Sequence, residues 1–164
     1  RRAMSSSGTC SAQSAPALPR WFDMDRTDVL SAAKQAPQLA HFVARTHDLA
    51  ATIKGALHSP GETLALSRGS FRWNITVAQD GSLTEHGLVP TLIEWQGARP
   101  SDALPESGVS LENLLAMHPD PARLHELHKA IGLEGAAIEY GARPELIAVF
   151  HTPHGKVRLA SRLP

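Results

Sequence analysis

One pattern occurs twice in this chain, and it limits the folds open to it. When Asp48 is set against Asp120, HFVARTHDLAATI (41–53) lies over NLLAMHPDPARLH (113–125). Both stretches read as an apolar strand, a short turn with Asp at the N-cap, and a helix. Leu49, Ile53, Ala56 and Leu57 share one face of the first helix, and Leu124, Leu127 and Ile131 one face of the second. Pro121 follows the second cap at the position where a helix tolerates proline, and Gly132 supplies the stop.

Short strands follow each helix. Phe71 to Val77 alternates apolar and polar residues, Asp80-Gly81 marks a turn, and Pro90 to Gln96 reads as a further strand. TLALS at 63–67 is the weakest of the set. In the second half Ala136–Tyr140, Leu146–Thr152 and Lys156–Ala160 are strands, with turns at 141–144 and 153–155. Each half therefore reads β-α-β-β-β, over 38–96 and 109–161. The fold class is α+β, built from repeated units whose sheets need a partner to cover them. Residues 97–108 form a linker, Asp25 to Ala36 a preceding helix, and Leu39 to Thr46 the first strand. The Ser-, Ala- and Pro-rich residues 1–19 read as a disordered lead-in to a domain at 20–164.

Composition removes several function classes. Sixteen Lys and Arg balance sixteen Asp and Glu with no basic run, which argues against nucleic acid. No apolar stretch reaches the ~18 residues of a membrane span, and none follows Arg1-Arg2 as an export signal would require, so the expected compartment is cytoplasmic. A single cysteine, Cys10, rules out an internal disulfide framework and a cysteine-based zinc site. Nine histidines are the compositional excess. His125 and His128 are three apart, not the four of a zinc-protease helix, and read as an exposed flank. No nucleophile elbow or phosphate-binding glycine loop is present.

The order LPRWFDMD, LAHFVARTHDL, SRGSFRWNITV, DGSL, LVPTLIEW, HPDPARL, TPHGKVRLAS resembles the glyoxalase-like domain proteins of the vicinal oxygen chelate superfamily over about residues 19–161. The resemblance implies paired modules cupped around a divalent metal, with ligands from the first and last strands of each. In this sequence those positions are His41 and Glu94, and Zn, Mn, Ni or Fe would suit an imidazole and a carboxylate. Leu39, His41, Val43 and Arg45 share one strand face, as do Leu92, Glu94 and Gln96. Asn113 takes the place of His41 in the second half, and its last strand has no carboxylate. Two ligands fall short of the usual three, so metal binding by this chain alone is expected to be weak or absent. The resemblance also implies a further unit before the PRWF segment, and the expectation is a truncated gene.

Arg68, Arg72 and Trp73 in SRGSFRW are the candidates for binding a carboxylate or a planar molecule. Three readings stand. One is metal-assisted lyase, isomerase or dioxygenase chemistry on a small oxygenated substrate, another a metal-free small-molecule binding module, and the last an inactive remnant. Exposed apolar sheet surface leads to an expected homodimer.

Overall fold

The computed structural model describes residues 19–161. Helix α1 (Thr27–Gln35) starts from Arg26 without a side-chain cap, carries Asp28 in its first turn and Lys34 in its last, and stops before Pro37. Those charges complement the helix dipole at both ends. Strand β1 (Val43–Arg45) is shorter than the sequence predicts. Residues 39–42 instead cross to the other half, where the Leu39 N–H donates to Ala160 O. Helix α2 (Leu49–Gly55) and helix α4 (Pro121–Ala130) are capped alike. Asp48 accepts from Ala51 N at 2.9 Å and Asp120 from Arg123 N at 3.0 Å.

After α2 come β2 (Glu62–Arg68), β3 (Phe71–Val77), a 3-10 turn (Thr84–Gly87) and β4 (Thr91–Trp95). A short α3 (Pro100–Ala103) interrupts the linker. Strand β5 (Ser110–His118) then leads into α4, β6 (Ala136–Tyr140), β7 (Glu145–Thr152) and β8 (Gly155–Ala160). The β-α-β-β-β order thus recurs. TLALS is a full strand paired along its length with β3.

Strand pairing does not recur with the element order. The first sheet runs β1-β4-β3-β2, with β1 parallel to β4; the second runs β6-β5-β7-β8, with β5 parallel to β6. In the first half the opening strand pairs with the last strand, and in the second with the strand directly after the helix. Both are mixed sheets, and neither closes into a barrel.

The halves share one core. Leu88 and Val89, on the segment entering β4, are buried in a cluster with Ala116, Leu124, Leu127 and Leu146 of the second half. Burying that apolar surface is what binds the halves together. Gly61 marks a tight spot at the start of β2. Its φ is +91°, and a Cβ there would lie 2.2 Å from Val77 O. Gly61→Ala is expected to cost at least about 2 kcal/mol, through left-handed strain and backbone collision. Urea denaturation measures it, and an unchanged midpoint would show that this turn relaxes freely.

Candidate functional site

Pairing decides which side chains of the first sheet share a face. Val43, Ala44 and Arg45 lie beside Thr91, Leu92 and Ile93, and Trp73, Asn74 and Ile75 beside Trp95, Glu94 and Ile93. One face therefore carries Ala44, Leu92, Glu94, Asn74 and Arg72. The other carries Val43, Arg45, Ile93, Trp95, Trp73 and Leu66, because alternate residues point opposite ways.

Glu94 belongs to the face covered by α2. Its Oε1 accepts from Leu49 N, in the first turn of that helix, at 3.2 Å, and its Oε2 accepts from Asn74 Nδ2 at 3.2 Å. The carboxylate thus holds a helix N-terminus to the sheet. His41 lies elsewhere. It precedes β1, whereas Glu94 lies within β4. A Cβ built on Gly87 would meet the His41 Cβ at 3.0 Å, and the His41 ring stacks on Phe22 at 4.1 Å. The structure sets His41 against Phe22 and Gly87, and Glu94 against Leu49 N and Asn74. They do not fit as a joint ligand pair for Zn, Mn, Ni or Fe. Among the described residues no group of three or more His, Cys, Asp or Glu is placed to hold a metal.

Arg72 and Trp73 are likewise on opposite faces. Arg72 is exposed on the α2 side, opposite Ser67. Trp73 is half-buried on the other side and meets Trp95 directly across the strand pair, with ring centroids 5.2 Å apart and planes tilted by 46°. Two exposed arginines flank this pair on the same face. Arg45 is in the row of Ile93, Ile75 and Leu64; Arg68 is in the row of Phe71. The sequence singles out Arg68, Arg72 and Trp73; the register adds Arg45 and Trp95 to the face that carries Trp73 and Arg68. The alternation in LAHFVART and PTLIEW carries the signal, but it requires the register to be read.

The 3-10 turn before β4 builds a second polar constellation. Glu85 and His86 have left-handed backbone, φ 45° and 57°. Such angles are costly for residues other than glycine and persist only where contacts hold them. Glu85 Oε1 accepts from Arg123 Nε at 3.0 Å and from Nη2 at 2.8 Å, while the ring of buried His118 turns Nε2 to within 3.4 Å of Oε2. Burial pushes the Glu85 carboxyl up, but the Arg123 bonds and charge, with His118, outweigh it and hold the group below its ordinary range. Glu85 thus ties the first half to β5 and α4 of the second.

His128 corrects the reading of an exposed helix flank. It is 3% exposed, and its Nε2 lies 2.8 Å from Leu88 O. It occupies the same helix stripe as Leu124 and Leu127, being four residues after the first of these. His125 is exposed, as expected.

The first sheet, in β1-β4-β3-β2 order, thus carries α2 on one face and the two indoles with their flanking arginines on the other. The family model for the glyoxalase-like domain matches residues 8–132, and the chain belongs to that family, within the vicinal oxygen chelate superfamily. The match spans the whole first sheet together with β5 and α4. No curated protein and no solved structure matches the chain. No helix among the described residues is long and apolar enough to cross a membrane.

Proposed function

We propose that the first sheet binds a small planar carboxylate on its Trp73–Trp95 face, as a glyoxalase-like small-molecule binding module. The observation that supports this reading most is the indole pair, 5.2 Å apart, with Arg45 and Arg68 exposed on either side of it. Indole rings offer a flat apolar surface to a planar ligand, and a guanidinium grips a carboxylate through two parallel hydrogen bonds. The β4 positions on this face are Thr91, Ile93 and Trp95, with no carboxylate among them. The ligand is therefore held by stacking and charge.

Calorimetric titration with naphthalene-2-carboxylate tests this. The ligand is expected to bind saturably and to quench tryptophan fluorescence. Arg45→Gln combined with Arg68→Gln should weaken binding by roughly tenfold to a hundredfold, as loss of two charge-assisted contacts implies. Trp95→Leu should weaken it as well. Arg72→Gln, on the opposite face, should leave it unchanged. Binding that depends on Arg72, or that ignores Trp95 and both flanking arginines, would overturn the proposal.

A further inference from the structure

A separate cavity of about 200 Å³ lies between α1, the turn at residues 22–24, the segment 36–40 and the 3-10 turn. None of Trp73, Trp95, Arg45 and Arg68 lines it. Its walls are mainly apolar, with Val29, Ala33 and Leu39 among them. An apolar cavity of about 150 Å³ is enough to hold benzene. This one therefore admits a single ring with a short arm.

The wall is built under strain. Of the four described non-glycine residues with left-handed backbone, three line it: Phe22 (φ 65°), Asp23 (φ 58°) and His86 (φ 57°). Asp23 is fixed from two sides. Its N–H donates to Gly81 O at 2.9 Å, and its Oδ2 accepts from Leu83 N at 3.3 Å. Gly81, which accepts that N–H, is itself closely packed: a Cβ on it would lie 2.4 Å from Arg20 O. The carboxylate is thus held at the cavity wall, with Oδ1 making no hydrogen bond among the described residues.

The charge balance selects the ligand. Arg26 also reaches the wall. Its guanidinium is bound by Asp28, Nε to Oδ1 at 3.1 Å and Nη2 to Oδ2 at 2.6 Å, and it also feels the Asp23 carboxylate. One guanidinium facing two carboxylates leaves a negative charge over at this wall. We infer that this cavity is a second ligand site, for a single-ring molecule carrying a primary amine, with the ring among Val29, Ala33 and Leu39 and the ammonium on Asp23 Oδ1.

Benzylamine, benzyl alcohol and benzoate share a ring and differ in charge, so they test the inference together. Benzylamine is expected to bind most tightly, and benzoate not at all, by ligand-observed NMR and calorimetry at pH 7.5. Asp23→Asn keeps an acceptor for Leu83 N–H and removes the charge. It should weaken benzylamine roughly tenfold while leaving benzyl alcohol unchanged. Ala33→Phe fills the cavity and should abolish binding of both without lowering the melting temperature. The Arg45→Gln, Arg68→Gln protein should bind benzylamine as the parent does, which separates this site from the sheet face. No benzylamine binding, benzoate binding as well as benzylamine, or indifference to Asp23→Asn would each overturn it.

Discussion

Leu88→Ala is expected to destabilise the protein by about 3 kcal/mol and to lower Tm by roughly 10 °C. Leu88 is fully buried, and its neighbours Ala116, Leu124 and Leu146 are also close to zero exposure. Removing three carbons there leaves a void walled by both halves of the chain, with no solvent-facing side chain free to fill it. The transition should remain single, because the lost contacts are the ones that join the two sheets. Calorimetry and far-ultraviolet circular dichroism should give coincident midpoints. Two separated transitions, or a loss under 1 kcal/mol, would mean that the sheets are stable apart. The Leu88 carbonyl survives the substitution, so the His128 hydrogen bond to it isolates the packing effect.

The second large effect is acid sensitivity. Burial pushes the His41 ring below the ordinary histidine range, and its buried Nε2 has no hydrogen-bond partner among the described residues. Burial also lowers His58, where the nearby Glu85 charge opposes the shift and His128 adds to it. His128 is lowered by burial, against the Leu88 carbonyl, which favours its charged form, and with help from His125. In each case the unfolded chain takes up a proton at a higher pH than the folded one. Stability is therefore full above the unfolded histidine value, near pH 6.5, and is lost as pH falls from there through the folded values. Each group removes at most about 1.4 kcal/mol per pH unit while it titrates. Urea midpoints should fall steadily from pH 7 to pH 5, ahead of any carboxylate titration. His128→Gln should flatten that slope. A flat profile over this window would show that the three rings are hydrated in solution. Glu85, held low by Arg123, loses its own contribution at more acidic pH, so the two phases are separable.

Local signals in the sequence carried well into three dimensions. Asp48 and Asp120 cap their helices through the same N3 contact, and Gly132 follows α4 with left-handed backbone. These features depend on a few adjacent residues, and the side-chain chemistry of each is unambiguous. The α+β class followed from the same signals. The site was less legible because it depends on pairing. Alternation holds within Val43–Arg45 and within Thr91–Trp95 but not over 39–42, which are not strand, and which alternate set of one strand joins which of the other is a question of register. A shift of one residue exchanges the faces. In the actual register Glu94 falls under α2 and Trp95 on the open face. Arg72 parted from Trp73 for a simpler reason, since adjacent residues of a strand always point apart. The burial of His128 was readable from its spacing to Leu124. A histidine on an apolar stripe needs a buried acceptor, and that acceptor, Leu88 O, is forty residues away in sequence.

The seat of Leu88 and Val89 also has a bearing on the order in which the molecule can assemble. Both residues are synthesised before any of β5, α4 or β7, yet they complete the cluster those elements form. The nascent first sheet must carry two unshielded aliphatic side chains until the second half has been made. Pairing β1 with β4 already closes a long stretch of chain, which is slow compared with forming a hairpin. Translation speed through the second half therefore sets how long this greasy segment is open to chaperones or to a neighbouring chain.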